Sequence, residues 1–306
     1  NVLTAAILYR GKCGLSKGTT RYMVAMAISN LLVIIFHVLI EKIYMYYTPN
    51  SFLFLTAICP SNTYLRIVTL DYSVWLTMSF TFDRFVSICC PKLRLAYCTD
   101  RTAVKVIVFL WPLSCLKFIP FNFMYVPRLI VDSVKWECTP KRDFFISGWW
   151  VFFSWMCTIS LPFLPFLILI LFNGLTVRNI IAANRVRRRL KVLDVKDTEA
   201  ENRRKSIVLL LTVSGAFILL WTTITVSFIC TRVTVNFAGG DHSRPSYIAN
   251  EVGVLLTHVN SCANTCIYGM TQRKFRLEVK NAFTHLTSIV QLMTTARQLP
   301  RSGVGK

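Results

Sequence analysis

Six stretches of the chain stay apolar over the length of helix that a bilayer crossing requires, roughly 20 residues. They are residues 22–40, 64–90, 103–126, 145–172, 207–230 and 248–268. A shorter apolar run, residues 2–9, reads as the inner half of a further helix whose outer half would precede Asn1. The pattern therefore predicts an all-α integral membrane protein: six full spans and a truncated first one, a seven-helix bundle. Polar interruptions are few and placed. Asn30 is the one strongly polar residue in the first full span; Arg66 and Asp71 lie in the second, which ends in Asp83-Arg84-Phe85. Pro112 and Pro120 interrupt the third and Pro162 and Pro165 the fourth, while the last is spotted with Asn, Ser, Thr and His. An Asp-Arg pair at the end of an apolar helix is costly beside lipid, so it belongs where protein surrounds it or where the helix meets water.

Composition agrees with this reading. Hydrophobic residues make up 54% of the 306 and charged residues 16%, with a mean hydropathy of +0.51; a soluble domain carries about 25% charged residues. A formal net charge of +21 would by itself suggest a nucleic-acid partner, but its location argues otherwise. Residues 10–21, 84–105, 178–205 and those after Tyr268 hold 26 of the 35 Lys and Arg, whereas the 14 acidic residues divide evenly between the two sides. The positive-inside rule makes these four segments cytoplasmic, and the basic surplus then faces anionic lipid. The eleven cysteines form no CxxC pair, the four histidines lie far apart, and neither a phosphate-binding loop nor a Ser/His/Asp grouping is present. No metal, cofactor or enzymatic activity is expected.

Two basic segments invite further reading. Residues 185–205 are charged and helix-prone, either a solvated extension of two helices or a docking surface for a cytosolic partner. In residues 271–283, Phe275, Leu277, Val279 and Phe283 alternate with Arg and Lys, which predicts a short amphipathic helix on the membrane surface. The expected division is a helical domain over 1–285 and a disordered cytoplasmic tail over 286–306.

The landmarks and their spacing carry a resemblance. Asp83-Arg84-Phe85 stands 25 residues after Cys59 and 27 before Trp111; Pro165 and Asn173 follow, then Phe217 and Trp221, Asn264-Thr265-Cys266-Ile267-Tyr268 and Phe275, with Asn1 at the head. Over residues 1–285 the chain resembles the rhodopsin-like (class A) G-protein-coupled receptors. Residues 22–27, 81–85, 171–173 and 273–276 are similar to the G-protein coupled receptor 139-like orphan group.

The resemblance implies a plasma-membrane receptor that passes binding of an extracellular small molecule or peptide to a heterotrimeric G protein, with the Gq class favoured. It implies a Cys59–Cys138 disulfide across the pocket mouth. Asp83, Arg84, Phe85, Asn264 and Tyr268 would couple to the G protein, with Phe217, Trp221 and Pro165 as the activation switch. The ligand pocket would use Arg66, Asp71, Glu41, Glu251 and Trp221. Arg66 would favour an acidic amino-acid or peptide ligand, unless Glu41 or Glu251 neutralises it within the protein.

Departures from the family pattern are Asn30 for the sodium-binding Asp, and Thr223 and Thr265 for the prolines of helices six and seven. They keep open a non-signalling pseudo-receptor or partner protein; a transporter is a weaker rival, since no internal repeat is visible. His258 stands where opsins carry their retinal lysine, so retinal attachment is not expected.

Overall fold

The computed structural model describes residues 1–10, 13–48, 51–189, 198–233 and 245–298. Its organising element is α3 (Cys59–Cys89), begun by Pro60 in its first turn, where the missing N–H is not needed. From Val68 to Ile88 most of its residues are buried, on every side of the helix. A helix buried all round belongs at the centre of a bundle, and α3 touches α2 (Lys17–Tyr44), α4 (Asp100–Phe123), α5 (residues 148–189) and α6 (Thr198–Val233). α1 (Val2–Tyr9) and α7 (Pro245–Thr271) complete the ring, and α8 (Arg273–Gln298) follows.

Local chemistry sets the ends and bends. Ser16 Oγ accepts from Thr19 N–H at the start of α2, and Thr99 Oγ1 accepts from Thr102 N–H at the start of α4, each satisfying an amide that the first turn leaves free. α5 widens into a π-turn over Ile159–Phe163, around Pro162, which has no N–H to give the ladder. α2 is also π-wound over Ile34–Tyr44, the segment that carries Glu41 and Lys42. In α6, Thr222 and Thr225 donate back to Ile218 and Trp221 carbonyls, whereas Thr265 of α7 instead bonds to Asn1 and Thr4 of α1.

Among the described residues four helices are long and apolar enough to cross a membrane: Lys17–Tyr44, Asp100–Phe123, Gly148–Ala182 and Ser206–Cys230. Their outward faces carry exposed Val108, Leu116, Leu167 and Leu219, the surface that lipid covers. Buried charge and polar groups keep the central α3 from passing as an apolar span, because protein rather than lipid surrounds it.

The helix expected over residues 103–126 ends at Phe123, in a 3₁₀ turn around Pro120. An antiparallel hairpin follows, β1 (Tyr125–Val131) and β2 (Val134–Pro140), in register Pro127↔Cys138 and Leu129↔Trp136. Its two-residue turn puts Asp132 and Ser133 at φ +50° and +64°, the double left-handed geometry that matches strand twist. Cys138 is bonded to Cys59, with 6.0 Å between their Cα atoms, so the hairpin is fastened to the start of α3. Closing a loop of 79 residues stabilises by about 4–5 kcal/mol in the chain-entropy account.

α8 is longer than the sequence pattern suggested: the helix continues to Gln298, past the expected start of a disordered tail, and residues 299–306 lie outside the described residues. Phe275, Val279 and Ala282 pack inward at helical spacing, whereas Leu277 and Phe283 are exposed. Arg276 donates to the Gly269 and Met270 carbonyls, capping the end of α7. Much of the 185–205 segment also lies outside the described residues; α5 ends at Arg189 and α6 begins at Thr198.

α6 and α7 approach closely at Gly253, where a Cβ would fall 2.8 Å from the Ile224 Cα. The obstruction is backbone, so the helices would have to part. Gly253→Ala is expected to cost about 1–3 kcal/mol. A thermal-melting series in detergent checks this, and an unchanged midpoint would refute it.

Candidate functional site

The bundle has a disulfide end and a basic end. At the disulfide end a cavity of about 300 Å³ lies under the hairpin, lined by residues including Glu41, Asn62, Arg66, Tyr125, Arg128 and Glu137. Arg66 is ion-paired to Glu41, and Arg128 to Glu137 at 3.1 Å. The Tyr125 hydroxyl is held protonated by burial, with the Arg66 charge acting in the opposite sense. The Arg66 carbonyl is 2.9 Å from His37 Nε2, and His37 stands edge-on to His258. Of the two expected partners for Arg66, Glu41 is the one found; Glu251 pairs with Lys42 at 3.2 Å.

The other expected pocket residues are elsewhere. Glu251 lines a separate groove between α2 and α7. Asp71 corrects the sequence reading: it faces α4, where its carboxylate takes hydrogen bonds from Lys117 at 2.6 Å and Ser114 at 2.8 Å. It lies five residues from Arg66, about 140° around the helix, and so points to a different neighbour. Trp221 is off the cavity as well, stacked on Phe217 with ring centroids 5.0 Å apart, among Val74, Met78, Leu169 and Ile224. Pro165 is buried one turn before Leu169 on α5.

At the basic end Arg84 is only 7% exposed and is ion-paired to Asp83, 2% exposed. The neighbouring Cys98 thiol donates to the Asp83 carbonyl at 3.4 Å. Burial, then the Asp83 charge, push that thiol up to about 12, so it stays protonated. Phe85 points to α5 and stacks on Phe172 at 5.2 Å. Asn264 and Tyr268 are buried on α7, and the Tyr268 hydroxyl has no hydrogen-bond partner among the described residues. Arg84 lines a cavity of about 250 Å³ shared with the 13–16 turn, the start of α6 and the start of α8. Arg84 and the first residues of α8 thus bound one opening, while Phe85 braces α3 against α5.

Between the ends, Asn30 Oδ1 accepts from Ser73 at 2.7 Å, and among the described residues its Nδ2 has no partner. Ser214 Oγ donates to Asn173 Oδ1 at 2.8 Å, tying α6 to α5. Asn1 donates to the Ser261 carbonyl at 3.0 Å, tying α1 to α7.

The sequence profile of the seven-transmembrane receptors of the rhodopsin family matches residues 1–268. The chain belongs to that family. The receptor is 25% identical over 287 residues to human galanin receptor type 2, covering 90% of this chain and 67% of that one. To the Rattus norvegicus galanin receptor type 2 it is 23% identical over 281 residues, covering 90% and 69%. Members of this family are receptors rather than enzymes, and the receptor is a multi-pass membrane protein.

Sequence reasoning had not singled out Lys117 or Gln272. Lys117 is the one cation between Lys105 and Arg128, deep in the apolar run of α4 and opposite Asp71 on a neighbouring span; two opposite charges in two spans are a readable signal. Gln272 carries none in the sequence, since its importance comes from the break between α7 and α8.

Proposed function

We propose that the receptor takes a ligand with a carboxylate, an amino acid or a peptide, at the disulfide end and activates a heterotrimeric G protein at the basic end. In this reading the basic end is cytoplasmic, the membrane is the plasma membrane, and the G protein is of the Gq class. Likeness to the orphan group rests on its four short stretches alone; the relatives found are named as galanin receptors.

The observation that carries the ligand reading is the Arg66–Glu41 pair on the wall of the outer cavity. A guanidinium has five donors in a planar fork. A ligand carboxylate can therefore displace Glu41 or share Arg66 with it, and bidentate geometry makes it a strong competitor. Arg66 and Glu41 belong to α3 and α2, so such a ligand would act on the contact between those helices. The Phe217–Trp221 stack and Pro165 lie below and would pass the change to α6. Binding shifts the population toward the active arrangement only as far as the ligand prefers it.

The test measures GTP exchange on added Gq and other G proteins, with free-acid and amidated forms of candidate peptides. Arg66→Gln is expected to lower the potency of the free acid at least tenfold and of the amide little. Equal loss for both forms would make Arg66 structural. No exchange with any ligand or G protein would favour a non-signalling receptor.

A further inference from the structure

The cavity at the basic end holds donors that the protein itself does not use. Gln272 is 6% exposed, lines this cavity, and its Nε2 has no hydrogen-bond partner among the described residues. It immediately precedes α8, a helix of 26 residues. The first-turn amides of such a helix have no intrahelical acceptor, and the helix dipole is positive there. Ser206 Oγ, on the α6 side of the same cavity, is also buried without a partner among the described residues. Lys274 and Arg273 complete the α8 wall.

The opposite wall is shaped to let Lys274 in. Gly14 has φ +71°, and a Cβ there would fall 2.7 Å from Lys274 Nζ. A side chain at position 14 would meet both backbone strain and the lysine. Two carboxylates come near. Asp83 is held by Arg84, and Glu278 lies beside Cys13. Gln272, Ser206 and Lys274 thus line one cavity, the first two with side-chain atoms buried in its wall and unpartnered among the described residues.

We infer that this cavity binds a phosphate group, presented as a phosphomonoester. Helix amides and one ammonium suit a tetrahedral dianion, and Gln272 Nε2 supplies the buried donor that otherwise goes unmet. The shared chemistry has two sources, a phosphoinositide headgroup or a soluble inositol phosphate. α8 exposes Leu277 and Phe283; with those side chains in the interface, the cavity lies at headgroup depth. An occupied cavity would close the opening beside Arg84 and oppose coupling. That consequence rests on the proposed function, whereas the binding does not.

The experiment titrates inositol trisphosphate calorimetrically into the full-length receptor in phosphatidylcholine nanodiscs. Saturable binding at one site is expected. Gln272→Leu and Lys274→Gln should each weaken it roughly tenfold, the loss of one charge-assisted hydrogen bond. Arg301→Gln, a basic change in the C-terminal tail, should leave it unchanged. Melting curves of the variants show that each is folded, and Gly14→Ala provides a second route by displacing Lys274. Doping the bilayer with phosphatidylinositol bisphosphate distinguishes the sources: lost trisphosphate binding assigns the site to lipid, and retained binding assigns it to the soluble form. No saturable binding in either bilayer overturns the inference, as does equal affinity in the parent, Gln272→Leu and Lys274→Gln. Because the readout is binding, a receptor that activates no G protein would remove the coupling reading and leave this one standing.

Discussion

Arg84→Ala is expected to abolish GTP exchange on added G protein, while a reduced but measurable amount of folded receptor still reaches the cell surface. Both halves follow from burial. The Arg84 side chain is 9% exposed and that of Asp83 3%, and each is the other's ion-pair partner. Removing the guanidinium leaves a buried carboxylate without its counter-charge, and breaking a buried pair costs about 3–5 kcal/mol. Some loss of folded receptor is therefore built into the substitution. The loss of exchange has a separate cause: Arg84 is the cation of α3 that lines the cavity at the basic end, and nothing replaces it. Asp83→Asn/Arg84→Ala separates the two effects. The double variant has no stranded charge, so its surface level should recover toward the parent while exchange stays absent. Exchange by the double variant at the parent's rate would take Arg84 out of the mechanism. Asp83→Asn alone should act in the opposite direction and raise ligand-free exchange, since Arg84 loses the partner that holds it.

The sequence made the bundle legible because its strongest signals are one-dimensional. Apolar length identifies the spans, and the spacing of Cys59, Arg84, Trp111, Trp221 and Tyr268 orders them. The Cys59–Cys138 bridge was implied by the family resemblance and is present. Features that depend on two elements meeting were harder to read. The β1–β2 hairpin turns on Asp132-Ser133 in left-handed geometry, a pair without the Asn-Gly signature that marks such turns, so the apolar run before it read as helix. The length of α8 was missed for a related reason. Phe275, Val279 and Ala282 pack inward, and Leu286, Ile289, Val290 and Met293 continue the helical spacing beyond Phe283, a signal that the polar, Gly- and Pro-containing end of the chain obscured. Arg66 shows where pattern stops and packing begins. Two acids were within reach by helical position; Glu41, on the π-wound end of α2, is the one that meets Arg66, while Glu251 is taken by Lys42.

Lys117→Met is expected to reduce the folded receptor more than Asp71→Leu, and the two changes together to restore much of the loss. The Asp71 side chain is 2% exposed and that of Lys117 15%, in the contact between α3 and α4. Without Lys117 the carboxylate keeps, among the described residues, only the Ser114 hydroxyl, and a short side chain cannot reach water. Without Asp71 the lysine still has a long apolar stem that can carry its ammonium toward the disulfide end. It also keeps its place over the Phe118 ring, 4.7 Å from the centroid. The asymmetry therefore comes from side-chain length rather than from the pair. Breaking a buried pair from one side costs about 3–5 kcal/mol, while replacing both members by apolar residues of similar volume is often neutral or better. The remaining contacts are arranged to keep the helices in place. Tyr64 and Tyr72 donate to the Cys115 and Ile107 carbonyls of α4, and Tyr72 stands edge-on to Trp111. The coupling energy from the double-mutant cycle should accordingly exceed about 2 kcal/mol. Melting temperature and detergent-extracted yield of the four proteins measure it. Additive losses, with the double variant the least stable, would mean that Asp71 and Lys117 act through separate partners.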